Sequence, residues 1–358
     1  MTDRFIYPGR LWKDIAGKPI QAHGFSIFYR PDEKRWYWYG ENKERTDGKG
    51  NIWHWGVRLY TSTDLVRWED CGLIIPPEPD NLTSPLHPTY CMDRPHILYC
   101  TATGKYVAWL KIMVGEITQF MTVLTADRLE GPYAIVRRIY HPLNMNAGDF
   151  CLHADADGRA WIWFERPHFQ MICATLTDDY TGLSGEYSVH CEGLRPPLTR
   201  EAPAYFERNG RRYLITSGTT GYHPNRSRTY TFTDPHGEYE DLGDPHIGDL
   251  SATSFNSQIS CVIQIPETDS FIACADRWLP QRRSFLCGRF IEKKYDRYFR
   301  SYTPDLAPQM AADLPERELR HGENTSISRY VWLPMEWHGD KPVIRWRRRW
   351  MPFISQEG

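Results

Sequence analysis

The sequence predicts an all-β protein built as a five-bladed β-propeller. Three observations carry that prediction. Long helical periodicity is nearly absent from the 358 residues. A unit of apolar strand, polar turn and aromatic strand recurs five times. A third shared segment, ending in a tight turn that bears Asp, follows three of those units. Short strands at regular spacing with turn signals between them are the mark of repeated antiparallel sheets.

The units follow one another along the chain. The first runs Phe25–Tyr29, turns at Pro31–Lys34 and continues Trp36–Tyr39. The second is His96–Tyr99, Thr103-Gly104, Tyr106–Trp109. The third is Phe150–His153, Asp155–Gly158, Ala160–Trp163. The fourth is Ala204–Phe206, Asn209-Gly210, Tyr213–Thr216, and the fifth Cys261–Ile265, Pro266–Asp269, Phe271–Cys274. Asn-Gly and Asp-Gly between apolar runs favour the left-handed backbone of tight hairpins. The shared third segment reads Leu59–Trp68, Val123–Tyr133 and, in degenerate form, Tyr230–Tyr239. Each unit thus supplies about four strands. The units begin near Phe25, Arg94, Phe150, Ala202 and Gln258, at spacings of 69, 56, 52 and 56 residues. That exceeds the roughly 40–50 residues of compact propeller repeats, so long loops are expected, and loops on a rigid scaffold are where sites are built. Tyr330–Trp337 and Pro342–Trp346 read as two further strands that close the ring against the N-terminal segment. Residues 1–358 are expected to form one catalytic propeller domain.

Composition narrows the function. Hydrophobic residues make up 41% and charged residues 25%, with 14 Trp, 21 Tyr and 15 Phe. Aromatic residues favour strands and fill cores, and exposed aromatic faces stack on sugar rings. A formal net charge of −2 argues against a general nucleic-acid or membrane-surface binder. The basic run Arg345–Arg349 fits a solvated strand edge. Nine cysteines, an odd number without C-x-x-C spacing, fit free thiols in a reducing compartment. The N-terminus lacks a basic-then-apolar leader pattern and no run is long enough to span a membrane, so a cytoplasmic protein is expected. Asn81, Asn225 and Asn324 lie in N-x-S/T triplets, which matter only in a secreted eukaryotic protein.

Propeller blades direct their innermost strands at a central axis, so polar residues at the starts of those strands collect around one pit. Asp93, Asp149 and Glu201 stand just before the first strands of units two, three and four. Unit five offers Gln258, unit one Gln21-Ala22-His23-Gly24, and Glu41 follows the first aromatic strand. Converging carboxylates suit hydrolysis of a glycosidic bond: a protonated acid serves the leaving oxygen while a second group handles water or the sugar cation. Repulsion and burial keep one acid protonated near neutrality. Each acid taken alone also fits a turn cap or an ion pair, as Arg94 beside Asp93 and Arg200 beside Glu201 illustrate. The repetition at successive blade starts favours function. His153 with Asp155 and Asp157 has metal-ligand chemistry, but Asp-Ala-Asp-Gly reads more simply as a hairpin turn. No phosphate-cradling glycine loop, nucleophile elbow or Ser/Cys–His pairing is present.

Further segments occur in a fixed order: Ile20-Gln-Ala-His-Gly-Phe, Trp36-Tyr-Trp-Tyr-Gly-Glu-Asn-Lys, Leu59-Tyr-Thr-Ser-Thr-Asp-Leu, Asp93-Arg-Pro-His, Arg200-Glu-Ala-Pro-Ala, Gly221-Tyr-His-Pro-Asn, Ser257-Gln, Asp276-Arg-Trp and Tyr330-Val-Trp-Leu-Pro. Together they resemble glycoside hydrolase family 43, most closely its exo-β-1,3-galactanase branch, over about Gly17 to Trp350. The resemblance implies a five-bladed propeller acting from a chain end with inversion. It implies Glu201 as general acid, Asp93 at the position that tunes the acid and contacts the sugar, and Gln258 as the group that holds or activates water. It implies sugar-binding roles for Glu41, Asp149, Thr220, Tyr222, Asn225 and His23. No cofactor is required by the resemblance, although a structural calcium on the axis is compatible with it. The chain departs from the branch in having Asp93 where Glu is usual, Tyr222 where Trp is frequent, and Gly24-Phe25 in place of a longer glycine run.

These features support release of galactose from β-1,3-linked galactan or a related oligosaccharide. The same fold acting on arabinofuranosides, xylosides or galactofuranosides is one alternative, since family resemblance fixes chemistry better than substrate. A non-catalytic sugar-binding propeller is another, because the usual aspartate base is missing. A phosphorylase or transferase is the weakest, needing Arg277, Arg282 and Arg283 to face the pit.

Overall fold

The computed structural model describes residues 4–49, 52–114, 118–280, 288–302, 314 and 322–352. Twenty strands form five four-stranded antiparallel sheets, each in simple up-and-down order. Blade 1 comprises β1 (His23–Arg30), β2 (Arg35–Glu41), β3 (Val57–Ser62) and β4 (Glu69–Ile75). Blade 2 comprises β5 (Cys91–Cys100), β6 (Lys105–Met113), β7 (Gln119–Ala126) and β8 (Ala134–Tyr140). Blade 3 holds β9 (Phe150–Ala154), β10 (Ala160–Arg166), β11 (Gln170–Leu176) and β12 (Leu183–His190). Blade 4 holds β13 (Arg200–Arg208), β14 (Arg211–Gly218), β15 (Arg228–Phe232) and β16 (Glu240–Gly243). Blade 5 holds β17 (Gln258–Gln264), β18 (Phe271–Arg277), β19 (Arg329–His338) and β20 (Lys341–Ile344). The first strands, β1, β5, β9, β13 and β17, neighbour one another in a ring. This is the five-bladed propeller the repeats predict.

Two features differ from the sequence reading. The tail strands are the third and fourth strands of blade 5, paired with β18 and with each other. A helix, α1 (Gly288–Tyr298), lies in the long connection between β18 and β19. It has only 11 residues, too few to show against a strand-rich background.

The seam between blades 5 and 1 is aromatic. Trp12, Trp38 and Trp332 meet with ring centroids 4.7 to 5.8 Å apart, and Phe25, Trp68 and Tyr330 pack around them. Such ring pairs add about 0.5–1.5 kcal/mol each beyond area burial. Outside them, Ile6 and Trp350 exchange backbone hydrogen bonds of 2.8 and 3.1 Å. Among the described residues no helix is long and apolar enough to cross a membrane.

Three inner strands begin with the same irregularity. Register shifts fall between His23 and Ser26, Asp93 and His96, and Glu201 and Ala204. In each, the second residue has positive φ: Gly24 at 52°, Arg94 at 48° and Ala202 at 51°. A bulge with a left-handed residue re-aims the side chain before it. At non-glycine residues such backbone is strained, a feature concentrated at functional sites.

Candidate active site

The site is built from one repeated backbone address. In each blade the start of the first strand lies against the end of the second. His23 faces Glu41, Asp93 faces Lys111, Glu201 faces Ser217, and Gln258 faces Asp276 as register partners. In blade 3 Asp149 lies one residue before β9 and its carbonyl accepts a 2.8 Å hydrogen bond from the Glu165 amide. These paired addresses ring one mouth of the propeller. There they open on a cavity of about 650 Å³, within the usual range for small-ligand sites.

The blade 1–2 side is a compact ion network. Lys43, fully buried, bonds Glu41 at 2.8 Å and Asp93 at 3.5 Å. Lys111 reaches Asp149 at 2.7 Å and Asp93 at 3.3 Å. The Trp53 indole N–H donates to Asp93 at 3.0 Å. Burial opposes ionisation of Asp93, but Lys111, Lys43 and the Trp53 bond outweigh it, holding its carboxyl well below the usual range. Asp149 is likewise held down, against burial, by Arg94 at 2.7 Å and by Lys111. Glu41 accepts the Arg94 backbone N–H at 2.7 Å, which the positive φ of Arg94 directs towards it. Complete burial nevertheless pushes Glu41 up to about 8, against the pull of Lys43.

The blade 3–4 side behaves oppositely. Glu201 is 8% exposed, and no Lys or Arg among the described residues makes an ion pair with it. Burial first, then the nearby Glu165 and Asp149, push its carboxyl well above the usual range, against Arg94 and Lys111. Glu165 is raised to about 7 by burial and by Asp149. The Gln258 amide is saturated. Its oxygen accepts from Arg94 Nη2 at 2.8 Å and Trp278 Nε1 at 2.9 Å, and its nitrogen donates to Glu201 Oε1 at 3.0 Å and Ser217 Oγ at 2.9 Å. Arg and Trp are donors only, which fixes the orientation of the amide.

Six residues singled out from sequence line this cavity: Glu41, Asp93, Asp149, Glu201, Tyr222 and Gln258. Three stand behind it. Asn225 and Thr220 tie the loop that carries Tyr222: Asn225 bonds Gly218 through both amide atoms, at 2.7 and 2.6 Å, and donates to Thr220 Oγ1 at 2.7 Å. His23 is fully buried, bonded to Asp276 at 2.9 Å and stacked on Tyr330. Arg277 turns away, donating to the carbonyls of Asn256 and Phe255, and Arg282 and Arg283 lie outside the described residues.

The sequence reading did not single out Lys111, Glu165, Trp53 or Trp278, all in the cavity wall. Lys111 and Glu165 stand at the second-strand address that Glu41 marks in blade 1, 16 to 18 residues after the acid that each one faces. That spacing is the signal that finds them. Lys294, Tyr295, Tyr298 and Phe299, on and just after α1, form a roof over the same cavity. The Tyr302 hydroxyl anchors it to the Pro167 carbonyl at 3.0 Å.

Calcium takes roughly six to eight oxygens. A second cavity on the axis is lined by Ser26, His96, Cys151 and Ser260 among others, with no carboxylate. That lining offers calcium no carboxylate oxygen. His153, Asp155 and Glu207 cluster at the surface, but Arg212 pairs with both acids, and Asp155–Gly158 is the hairpin turn.

An axial cavity whose carboxyls are pushed in opposite pKa directions suits a glycoside hydrolase. Residues 26–253 match the model of the glycosyl hydrolases family 43, and the chain belongs to that family. Comparison with curated protein sequences finds no match. Among solved structures it is similar to a β-1,3-galactosidase of the family at 26% identity and a TM-score of 0.76, covering 98% of this chain and 64% of that one. A second family β-1,3-galactosidase, solved with galactodeoxynojirimycin, is 25% identical, with a TM-score of 0.74 and coverage of 96% and 99%. The fold is also that of the exo-β-1,3-galactanase from Phanerochaete chrysosporium solved with β-1,3-galactotriose, at 22% identity, a TM-score of 0.75 and coverage of 98% and 69%.

Proposed function

We propose that this chain is an exo-acting, inverting hydrolase that releases galactose from β-1,3-linked galactan or related oligosaccharides. One observation carries the reading: Glu201 is a buried acid held against ionisation at the cavity wall, while Asp93 and Asp149, facing the same cavity, are held ionised. Two sets of carboxyls pushed apart in pKa by their surroundings is how acid and base roles are divided.

In this reading Glu201 protonates the glycosidic oxygen as the C1–O bond breaks. Gln258 donates to Oε1 and so leaves the proton on Oε2, free for the substrate. With its four hydrogen bonds committed to protein groups, Gln258 acts first as the clamp of the acid. Asp93 and Asp149 are then the ionised acceptors available to the attacking water. Tyr222, 5.1 Å from the Trp278 ring centroid, and Trp53 offer faces for sugar stacking, and the roof after β18 favours a chain end over a long through-running polymer. The similarity to β-1,3-galactosidases supports galactose. Eight described cysteines are free thiols, including the register partners Cys261 and Cys274. They support a cytoplasmic location.

The test is hydrolysis of nitrophenyl glycosides and β-1,3-galactobiose by wild type beside Glu201→Gln. Galactose release by wild type, and its loss in a folded variant, is expected. Turnover of an arabinofuranoside or xyloside alone would reassign the sugar. Binding of galactosides by both proteins without turnover would make the chain a sugar-binding propeller.

A further inference from the structure

We propose that Glu165 and Glu201 form a carboxyl pair that carries one proton in total, with Glu165 the positioning residue that keeps that proton on the general acid. The proposal rests on the glycosidase reading and adds a residue to it.

The two carboxyls are close neighbours. A carboxylate oxygen of Glu165, one of Glu201 and a ring nitrogen of His168 all lie within 4.8 Å of one another. Glu165 is 3% exposed and both acids face the cavity. The surrounding groups come from blades 2, 3 and 5. Asp149 and Lys111 face Glu165 from blades 3 and 2, the His168 backbone N–H donates to it at 2.7 Å, and the Gln119 amide lies alongside. Glu201 faces Asp149, Arg94, Lys111 and Gln258. The strong cations are committed elsewhere: Lys111 bonds Asp149 and Asp93, and Arg94 bonds Asp149 and Gln258. Only His168, 3.5 Å from Glu165, makes an ion-pair contact with either acid among the described residues. Two carboxylates this close in a buried setting cannot both stay ionised.

Distance also assigns the role. The acid and base of an inverting glycosidase stand about 6.5–9.5 Å apart so that water fits between base and sugar. Glu165 is too near Glu201 for that, and so acts through the acid rather than on water. In the working state Glu201 carries the proton and Glu165 is ionised. Glu201 gives its proton to the leaving oxygen, which takes the electron pair of the broken C1–O bond. The pair is then doubly ionised, and its repulsion recovers one proton from solvent before the next turnover.

The experiment compares the pH dependence of kcat/KM for wild type, Glu165→Gln and Glu165→Asp, using an alkyl or disaccharide substrate and a dinitrophenyl glycoside of the same sugar. Glu165→Gln is expected to lower the alkaline limb by about one pH unit or more with the poor leaving group. The acid-side plateau should stay within several-fold, and Glu165→Asp should restore part of the limb. The dinitrophenyl substrate, whose leaving group needs no proton, should show no such shift. A uniform fall at every pH with the limb in place would overturn the proposal. Carbon-13 NMR titration of Glu201 in wild type and Glu165→Gln decides the pair without turnover: a lower Glu201 midpoint in the variant supports it, an unchanged midpoint overturns it. Absence of turnover of every glycoside by wild type would instead reject the glycosidase reading, leaving the titration to judge the pair.

Discussion

Blades 2 and 3 fill the same two backbone addresses with opposite electrostatics. In blade 2 Asp93 faces Lys111; in blade 3 Asp149 stands beside Glu165. Lys111 neutralises the acids of both blades, at 3.3 and 2.7 Å. Among the described residues no Lys or Arg pairs with Glu165, which His168 contacts at 3.5 Å and which lies near Glu201 of blade 4. The propeller repeat supplies the addresses. The acids at the first address of both blades, Asp93 and Asp149, are held ionised, whereas Glu165 at the second address of blade 3 helps hold Glu201 of blade 4 against ionisation. A five-fold scaffold thereby yields a one-sided site.

The largest blow to this asymmetry should come from Lys111→Met. It strips a cation from two buried carboxylates, and breaking a buried ion pair costs about 3–5 kcal/mol. Chemical denaturation checks this, and a loss below about 1 kcal/mol would mean that Lys43 and Arg94 suffice. Gly24→Ala comes next. A Cβ there would collide with the Glu41 carboxyl and force alanine to a φ of 52°. Backbone strain of this kind costs on the order of 1–3 kcal/mol, and thermal unfolding should register it.

The raised acids also set a pH trend. Glu41 near 8 and Glu165 near 7 are raised in the folded chain, so the native state binds more protons than the unfolded one between about pH 4.5 and 8. Their contribution to stability is complete below that window and is lost as pH rises through it. Glu41→Gln and Glu165→Gln should each flatten the decline in denaturation midpoint from pH 5 to 8. The smallest expected effect is in the roof: Tyr298→Ala, at an exposed aromatic, should raise KM by a few-fold with kcat kept.

How far the sequence reached follows the same division. The inner strands and their first hairpins were legible because Asn209-Gly210 and Asp157-Gly158 are local turn signals. The acids Asp93, Asp149 and Glu201 were legible because they stand just ahead of the apolar runs; Asp149 does precede β9, but the bulges carry β5 and β13 back over Asp93 and Glu201, which lie inside those strands. Lys111 and Glu165 were not, since they meet those acids across a hairpin, and only the 16 to 18 residue spacing between the two addresses betrays them. β19 and β20 read as closing strands because residues 278–328 separate them from β18. Thr220, Asn225 and His23 carry the right chemistry for a sugar, yet the fold spends it on holding the Tyr222 loop and the β1–β18 junction.

The most direct measurement of the central claim is how the effect of Glu201→Gln depends on the leaving group. A positioned general acid is worth about 10²–10⁴-fold where the leaving oxygen needs a proton. A loss of that size is expected on β-1,3-galactobiose and a far smaller one on the dinitrophenyl glycoside of the same sugar. Equal losses on both substrates would contradict it, because Glu201 would then serve binding or folding rather than proton transfer.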